Sequence, residues 1–245
     1  MQTPSPYSPT GAVFATTQWS IVYAAAQTRQ PGARDALAQL CSHYWAPLYA
    51  FARRQGLDPH NARDLVQGFF ESLLASRTYT NATPARGRFR TFLIGGLRHY
   101  QGGVQARAGA LKRGGGSTII PLDENVLEDR YAAGGAALSP EKAYERQWAL
   151  AVIDHTLAGL RAEFDTADNG AAFNIMLPFL TGDPSQSYDD ACRTLGATLP
   201  AFKAQVHRLR LRFRAHLRRE IAGTVDSPLE IDSEMRHLRE ILASS

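Results

Sequence analysis

The chain has 245 residues, 44% of them hydrophobic and 20% charged, which is enough for one large or two small cores, and a break in pattern near the middle favours two. A formal net charge of +4 and a pI of about 9.2 point toward anionic partners, while Cys41 and Cys192 lie in unrelated segments without a Cys-x-x-Cys pair, which implies a reducing compartment. The Pro/Thr/Ser-rich start shows no basic stretch followed by a long apolar run, so neither a secretion signal nor a membrane span is expected, and the expected location is the cytoplasm.

Apolar residues recur at helical rather than strand period almost throughout, which predicts an all-α fold. Trp19, Val22, Tyr23 and Ala26 form the first stripe, entered through Thr17. A second helix carries Leu37, Leu40, Cys41, Tyr44, Leu48 and Phe51, includes Pro47, and ends at Gly56 in the left-handed capping position. The third starts at Asp58-Pro59, with Asp58 as cap and the proline where a missing amide hydrogen costs nothing. Its Leu65, Phe69 and Leu73 line one face with Val66, Phe70 and Leu74 beside it, a stripe wider than one contact requires. A fourth helix runs from about Phe89 through Phe92, Leu93, Leu97, Tyr100 and Val104.

Residues 114–138 read as a flexible Gly/Ala-rich linker. Ser139-Pro140-Glu141 restarts helix with cap, proline and dipole-favoured acid, and Tyr144, Trp148, Val152 and Leu160 continue its stripe. A further helix holds Phe173, Met176, Leu177 and Leu180 and breaks at Gly182-Asp183-Pro184. Tyr188 to Leu195, a turn at Gly196, and a helix capped by Thr198 have the spacing of a helix-turn-helix, with Phe202, Val206, Leu209, Phe213 and Leu217 as its spine. Asp226-Ser227-Pro228 opens a last helix with Ile231, Met235, Leu238, Ile241 and Leu242 on one side. The expected organisation is a disordered N-terminus (1–15), a helical domain (16–113), the linker (114–138), a second helical domain with the helix-turn-helix (139–222) and a helical extension (223–245).

Charge is concentrated in two windows. Arg86 to Arg113 and Lys203 to Arg219 hold seven Lys/Arg each of the 27 in the chain, and neither contains an Asp or Glu. Carboxylate-free cationic fields with aromatic or branched residues at helical spacing suit a polyanion gripped at two places. The seven histidines are scattered, with no His-Glu-x-x-His, Gly-x-Ser-x-Gly or P-loop pattern, and Cys41-Ser42-His43 reads as a core thiol beside a surface histidine. No enzyme, metal site or cofactor is expected.

Three ordered motifs resemble the sigma-70 family of RNA polymerase sigma factors, in particular its two-domain extracytoplasmic-function subfamily. Asp64-Leu65-Val66-Gln67-Gly68-Phe69-Phe70 resembles the Asp-Leu-x-Gln-x-x-Phe segment. Gly87-Arg88-Phe89-Arg90-Thr91-Phe92-Leu93, running to Arg98-His99-Tyr100, resembles the promoter-melting helix, and Ala191 to Arg214 the promoter-binding helix-turn-helix. The resemblance covers residues 16 to 222 and implies three surfaces. Asp64, Gln67, Phe70 and Leu74 would dock on core RNA polymerase, at the clamp coiled coil of its largest subunit, with the second domain near the flap; the other reading of Phe70 and Leu74 is burial in the first domain. Arg88, Phe89, Arg90, Phe92, Arg98, His99, Tyr100, Arg107, Lys112 and Arg113 would hold the minus-ten element as a separated strand, by stacking and backbone cations, with Phe92 alternatively in the core. Thr198, Lys203, Gln205, His207, Arg208 and Arg210 would read the minus-thirty-five element, and Arg212 to Arg219 would be phosphate contacts or solvated charge.

The implied activity is promoter recognition, melting and transcription initiation; the rival is a helix-turn-helix regulator that never docks on polymerase. Departures from the family pattern are the reduced acidic cluster, with Asn61 and Arg63 near Asp64, and Phe92 in place of a tryptophan. Gly95-Gly96 and Gly102-Gly103 add roughly 1 kcal/mol of helix cost per glycine. Because the acidic cluster is reduced, docking is expected to be weaker, with a phosphoryl group or a partner required to restore it, and the candidate regulators are a Ser/Thr kinase and an anti-sigma factor. The extension either packs on the second domain, which is the favoured expectation, or occludes a binding face.

Overall fold

Local chemistry fixes most helix starts in the computed structural model, which describes residues 33–83, 87–108, 124–132, 138–167, 169–182, 187–225 and 227–244. Helix α1 spans Ala33–Arg54 and α2 Pro59–Ser76, and Asp58 Oδ1 accepts from the Asn61 amide at 2.9 Å, with Pro59 in the first turn. Gly56 (φ 91°) makes the left-handed turn between them. A 3₁₀ turn, Thr78–Asn81, precedes α3 (Phe89–Ala108), and α4 is Glu124–Ala132. Ser139 caps α5 (Pro140–Thr166), Gly182 (φ 85°) closes α6 (Gly170–Thr181), Ser187 caps α7 (Tyr188–Leu195), Thr198 caps α8 (Leu199–Ala222), and α9 is Ile231–Ala243. Among the described residues every regular element is helical. The helix expected around Trp19 to Ala26 lies outside them, as do residues 114–123.

Helix α1 packs most extensively on α5 and is buried on several sides, with Cys41, Tyr44, Trp45, Leu48, Tyr49, Phe51 and Ala52 all inside. Around it gather Val66, Phe69, Phe70 and Leu73 of α2, Phe89, Leu93 and Leu97 of α3, and Tyr144, Trp148 and Val152 of α5. The same cluster takes in Leu217 and Ile221 from the end of α8 and Leu238 of α9. A second cluster joins Leu160 of α5 to Phe173, Met176 and Phe179 of α6, Cys192 of α7, and Phe202, Val206 and Leu209 of α8. Helices α5 and α8 therefore contribute to both clusters, whose residues are shared out differently from the ranges 16–113 and 139–222.

The segment read as linker holds α4, which the sequence pattern did not signal. Leu127 is buried, and Glu128 takes Arg53 in a two-pronged contact, Nε to Oε1 at 2.8 Å and Nη2 to Oε2 at 3.0 Å, while the Tyr49 hydroxyl donates to the same carboxylate. The Arg53 hydrogen bonds hold the Glu128 carboxyl below its usual range. A helix of nine residues is marginal alone, so these contacts to α1 supply what its own sequence lacks.

The Cys41 thiol is pushed up to about 12 by burial and behaves as a small apolar group. His43, two residues on, meets His155 of α5 with ring centroids 3.9 Å apart, and its Nδ1 is buried with no partner among the described residues. Desolvation, followed by the charge of His155, lowers His43 from 6.5 to about 3; Asp154 and Arg130 stand beside His155. The folded state thus resists a proton that the unfolded chain accepts. The contribution is intact above about pH 6.5 and is lost progressively as the pH falls toward 3. Urea unfolding at pH 7.5 and pH 5 should show wild-type protein losing more stability than His43→Gln, with an extra slope of up to about 1.4 kcal/mol per pH unit; equal losses in the two proteins would contradict the assignment.

Candidate nucleic-acid interface

The first basic window opens α3 after Gly87, whose φ of 107° turns the chain into the helix. Phe89 points inward, 2% exposed, with its ring 5.6 Å from Tyr44 and 5.6 Å from Phe92. That placement corrects the expectation of an exposed base platform: a fully apolar ring at the first turn gains more by joining the α1 core than by facing water. Phe92 is half-buried against the same cluster. Arg90 is also internal, 4% exposed, with its guanidinium carbon 4.0 Å from the Trp148 ring centre.

The carboxylate of Glu234 in α9 answers Arg90 with a hydrogen bond and Arg88 with an ion contact of 2.6 Å that lacks hydrogen-bond alignment. Arg98 stays exposed, pairs with Glu141 at the start of α5, and lies 5.3 Å from the Phe51 ring centre. His99 is exposed. Tyr100 is half-buried over α2, where a Cβ on Gly68 would come within 2.5 Å of its hydroxyl, so the glycine makes room for the ring. The Arg107 side chain, Lys112 and Arg113 lie outside the described residues.

The second window is built differently. Ser187 caps α7, Gly196 turns the chain at φ 61°, and the Thr198 hydroxyl accepts from the Ala201 amide at 3.4 Å to begin α8. Phe202, Val206 and Leu209 are buried at i, i+4 and i+7, which fixes the roll of α8 and turns its remaining positions outward. Thr198, Lys203, His207, Arg208 and Arg210 are exposed and Gln205 is half-buried. Neutral partners hold several cations in place: Arg210 Nη2 donates to the Phe179 carbonyl at 2.8 Å, Lys203 lies 5.8 Å from the Tyr188 ring centre, and Arg212 5.5 Å from that of Phe164. Farther along, Arg218 pairs with Asp232 of α9, and Arg219 lies 3.8 Å from Glu163.

On α2, Asp64 is exposed and 3.4 Å from His60, Gln67 donates to Glu71 at 3.2 Å, and Leu74 is half-buried. Phe70 is fully buried, stacked on Trp45 with centroids 5.5 Å apart, so the core reading of its position is the one realised. Asp64 instead borders a shallow groove between α2 and α3 with Leu57, Leu65, Tyr100 and Val104.

Glu234 was not singled out from sequence, and neither the packing of Trp148 on Arg90 nor the pairing of Glu141 with Arg98 was expected. The signal for Glu234 was present: it sits at the centre of the stripe Ile231, Met235, Leu238 and Ile241, where a carboxylate is out of place unless a cation meets it. The chain matches no protein-family model, no curated protein and no solved structure.

Gly196 has open space where a Cβ would stand, so only its left-handed backbone opposes a side chain. Gly196→Ala should lower stability by about 1–2 kcal/mol and Gly196→Asn by less, read by thermal unfolding, because asparagine tolerates this conformation. Equal losses for the two variants would point to a steric cause instead.

Proposed function

We propose that the chain is a sigma-type initiation factor of the extracytoplasmic-function kind, which binds core RNA polymerase and promoter DNA, with α7 and α8 acting as the helix-turn-helix that reads the upstream element and α3 engaging the melted downstream element. The observation that carries this reading is the outer face of α8. Lys203, Arg208, Arg210, Arg212 and Arg214 are exposed, and among the described residues none of them is in an ion pair. A rigid helix held by a buried spine, with these cations outside any ion pair on its outer face, suits insertion into a major groove with flanking phosphate contacts. The order of the Asp64 segment, the α3 segment and the α7–α8 unit adds the sigma-type assignment to general DNA binding.

Duplex binding by fluorescence anisotropy should weaken steeply with salt, and Arg208→Ala should reduce the slope of log affinity against log salt by about 1. A slope unchanged by Arg208→Ala and by Lys203→Ala would remove α8 from the interface.

The burial of Phe70 favours a second reading, a helix-turn-helix regulator that does not dock on polymerase, because it removes one apolar group from the surface that docking would use. Co-purification with core RNA polymerase separates the two. The sigma reading requires that the parent protein be retained and that Asp64→Arg lose retention while keeping its duplex affinity. No retention of the parent supports the regulator.

A further inference from the structure

The last helix places carboxylates on arginines from both basic windows. Asp232, near its start, pairs with Arg218 of α8. Glu234, two residues on and facing the other way, takes Arg88 at 2.6 Å and, across 144 residues of sequence, Arg90 by a hydrogen bond. The two sites differ in exposure. The side chain of Asp232 is 74% exposed and that of Arg218 40%, whereas the side chains of Glu234 and Arg90 are 0% and 5% exposed, with that of Arg88 at the rim at 37%. A second carboxylate, Glu141 of α5, holds Arg98 farther along α3, with both side chains about half exposed.

A carboxylate that meets two guanidiniums, Arg90 by a hydrogen bond and Arg88 by an ion contact, puts an anion on groups of the kind that hold a phosphate. The basic window on α3 contains no acid of its own, and among the described residues its Arg88, Arg90 and Arg98 are met by carboxylates from α9 and the start of α5. The contact is stapled by Trp148 against the Arg90 guanidinium at 4.0 Å and by the Tyr144 hydroxyl, which donates to the Arg90 carbonyl at 2.9 Å. Besides its carboxylates, helix α9 is held by buried Leu238, by partly buried Ile231, Met235, Ile241 and Leu242, and by His237 at 3.6 Å from Glu145 of α5, while Leu229 just before it is 91% exposed.

We propose that α9 is an intramolecular stand-in for the nucleic-acid backbone, a carboxylate plug whose Glu234 occupies Arg88 and Arg90, so that the α3 window takes up a single strand only when α9 is displaced. The inference rests on the proposed role of α3 in holding DNA. Displacement exchanges one anion for another at the same guanidiniums, and it also breaks the Asp232 pair on α8. The α3 window is therefore closed in the free protein while the exposed face of α8 remains open to duplex.

Full-length protein and Glu234→Gln, which keeps the shape of the side chain and removes its charge, are titrated with a fluorescein-labelled single-stranded oligonucleotide across a salt series. Glu234→Gln should bind roughly tenfold more tightly, with a log–log salt slope steeper by about 1.4 for two freed arginines. Adding Arg88→Gln to that variant should reverse much of the gain. Hydrogen exchange on the wild-type chain gives the same answer without any substitution and stands should Glu234→Gln fail to fold: saturating single strand should deprotect the amides of α9. Single-strand binding by the wild type with α9 protection unchanged, or at an affinity equal to that of a folded Glu234→Gln, overturns the plug and leaves the DNA role of α3 standing. Absence of single-strand binding by both proteins overturns the plug together with that role.

Discussion

The Arg90–Glu234 ion pair is the constraint around which the rest of the structure is arranged. A guanidinium and a carboxylate taken out of water each lose several kcal/mol of hydration, and either one left without the other is a buried uncompensated charge. The start of α3 and the first turn of α9 must therefore be formed together, although 144 residues separate Arg90 from Glu234. Trp148 closes the third side, which brings α5 into the same junction. Such a pair adds little net stability over apolar packing, but it is exacting about partners, because Glu234 without a cation would be an uncompensated buried charge. It gives α9 a register that its apolar stripe alone, with leucine, isoleucine and methionine on one face, would leave loose.

Helix α5 acts as the beam between the two apolar clusters. Its first half puts Tyr144, Trp148 and Val152 beside α1, and its second half puts Leu160 beside α6 and Phe202 of α8. Helix α8 repeats the arrangement, with Phe202, Val206 and Leu209 in one cluster and Leu217 and Ile221 in the other. Two helices that each serve both clusters couple them mechanically, since rotating one cluster against the other would have to bend α5 and α8 or unpack them. This arrangement follows from helix length: 27 and 24 residues, at about 1.5 Å per residue, exceed the width of either small core.

Helix existence and capping were legible in the sequence because they depend on neighbours a few residues away. Asp58, Ser139 and Thr198 cap as their spacing to Pro59, Pro140 and Pro200 implies, Gly56 adopts the left-handed turn expected of it, and the helix break at Gly182 and the turn at Gly196 are made in the same conformation. Matters decided at long range were not legible. The double stripe on α2 left Phe70 open between a docking surface and a core, and Trp45, from a different helix, decides it. Phe89 looked like a platform because its window is basic, and Tyr44 draws it inward. Helix α4 was hidden by its glycine- and alanine-rich surroundings, since its support comes from Arg53 and Tyr49 rather than from its own period. Of the candidate interface, the outward cations of α8 were readable because one helix carries both the spine and the charges. The fate of the α3 arginines was not, because their partners sit on α5 and α9.

The two basic windows consequently differ in kind. On α8, a carbonyl oxygen and aromatic faces orient Arg210, Lys203 and Arg212 without cancelling their charge, so the field of that helix reaches solvent. On α3, carboxylates meet Arg88, Arg90 and Arg98 directly, and the field is short-circuited within the protein. A mobile anion approaching from solution is steered to the first kind of site and must compete at the second. Under the proposed function this asymmetry imposes an order of events. Duplex contact through α8 needs no rearrangement, whereas strand capture through α3 has to exchange protein carboxylates for phosphates, at an energetic cost that the binding of a larger partner can offset. A protein that must find duplex DNA before it holds a separated strand gains selectivity from that order, because single strands met in isolation encounter a window already filled.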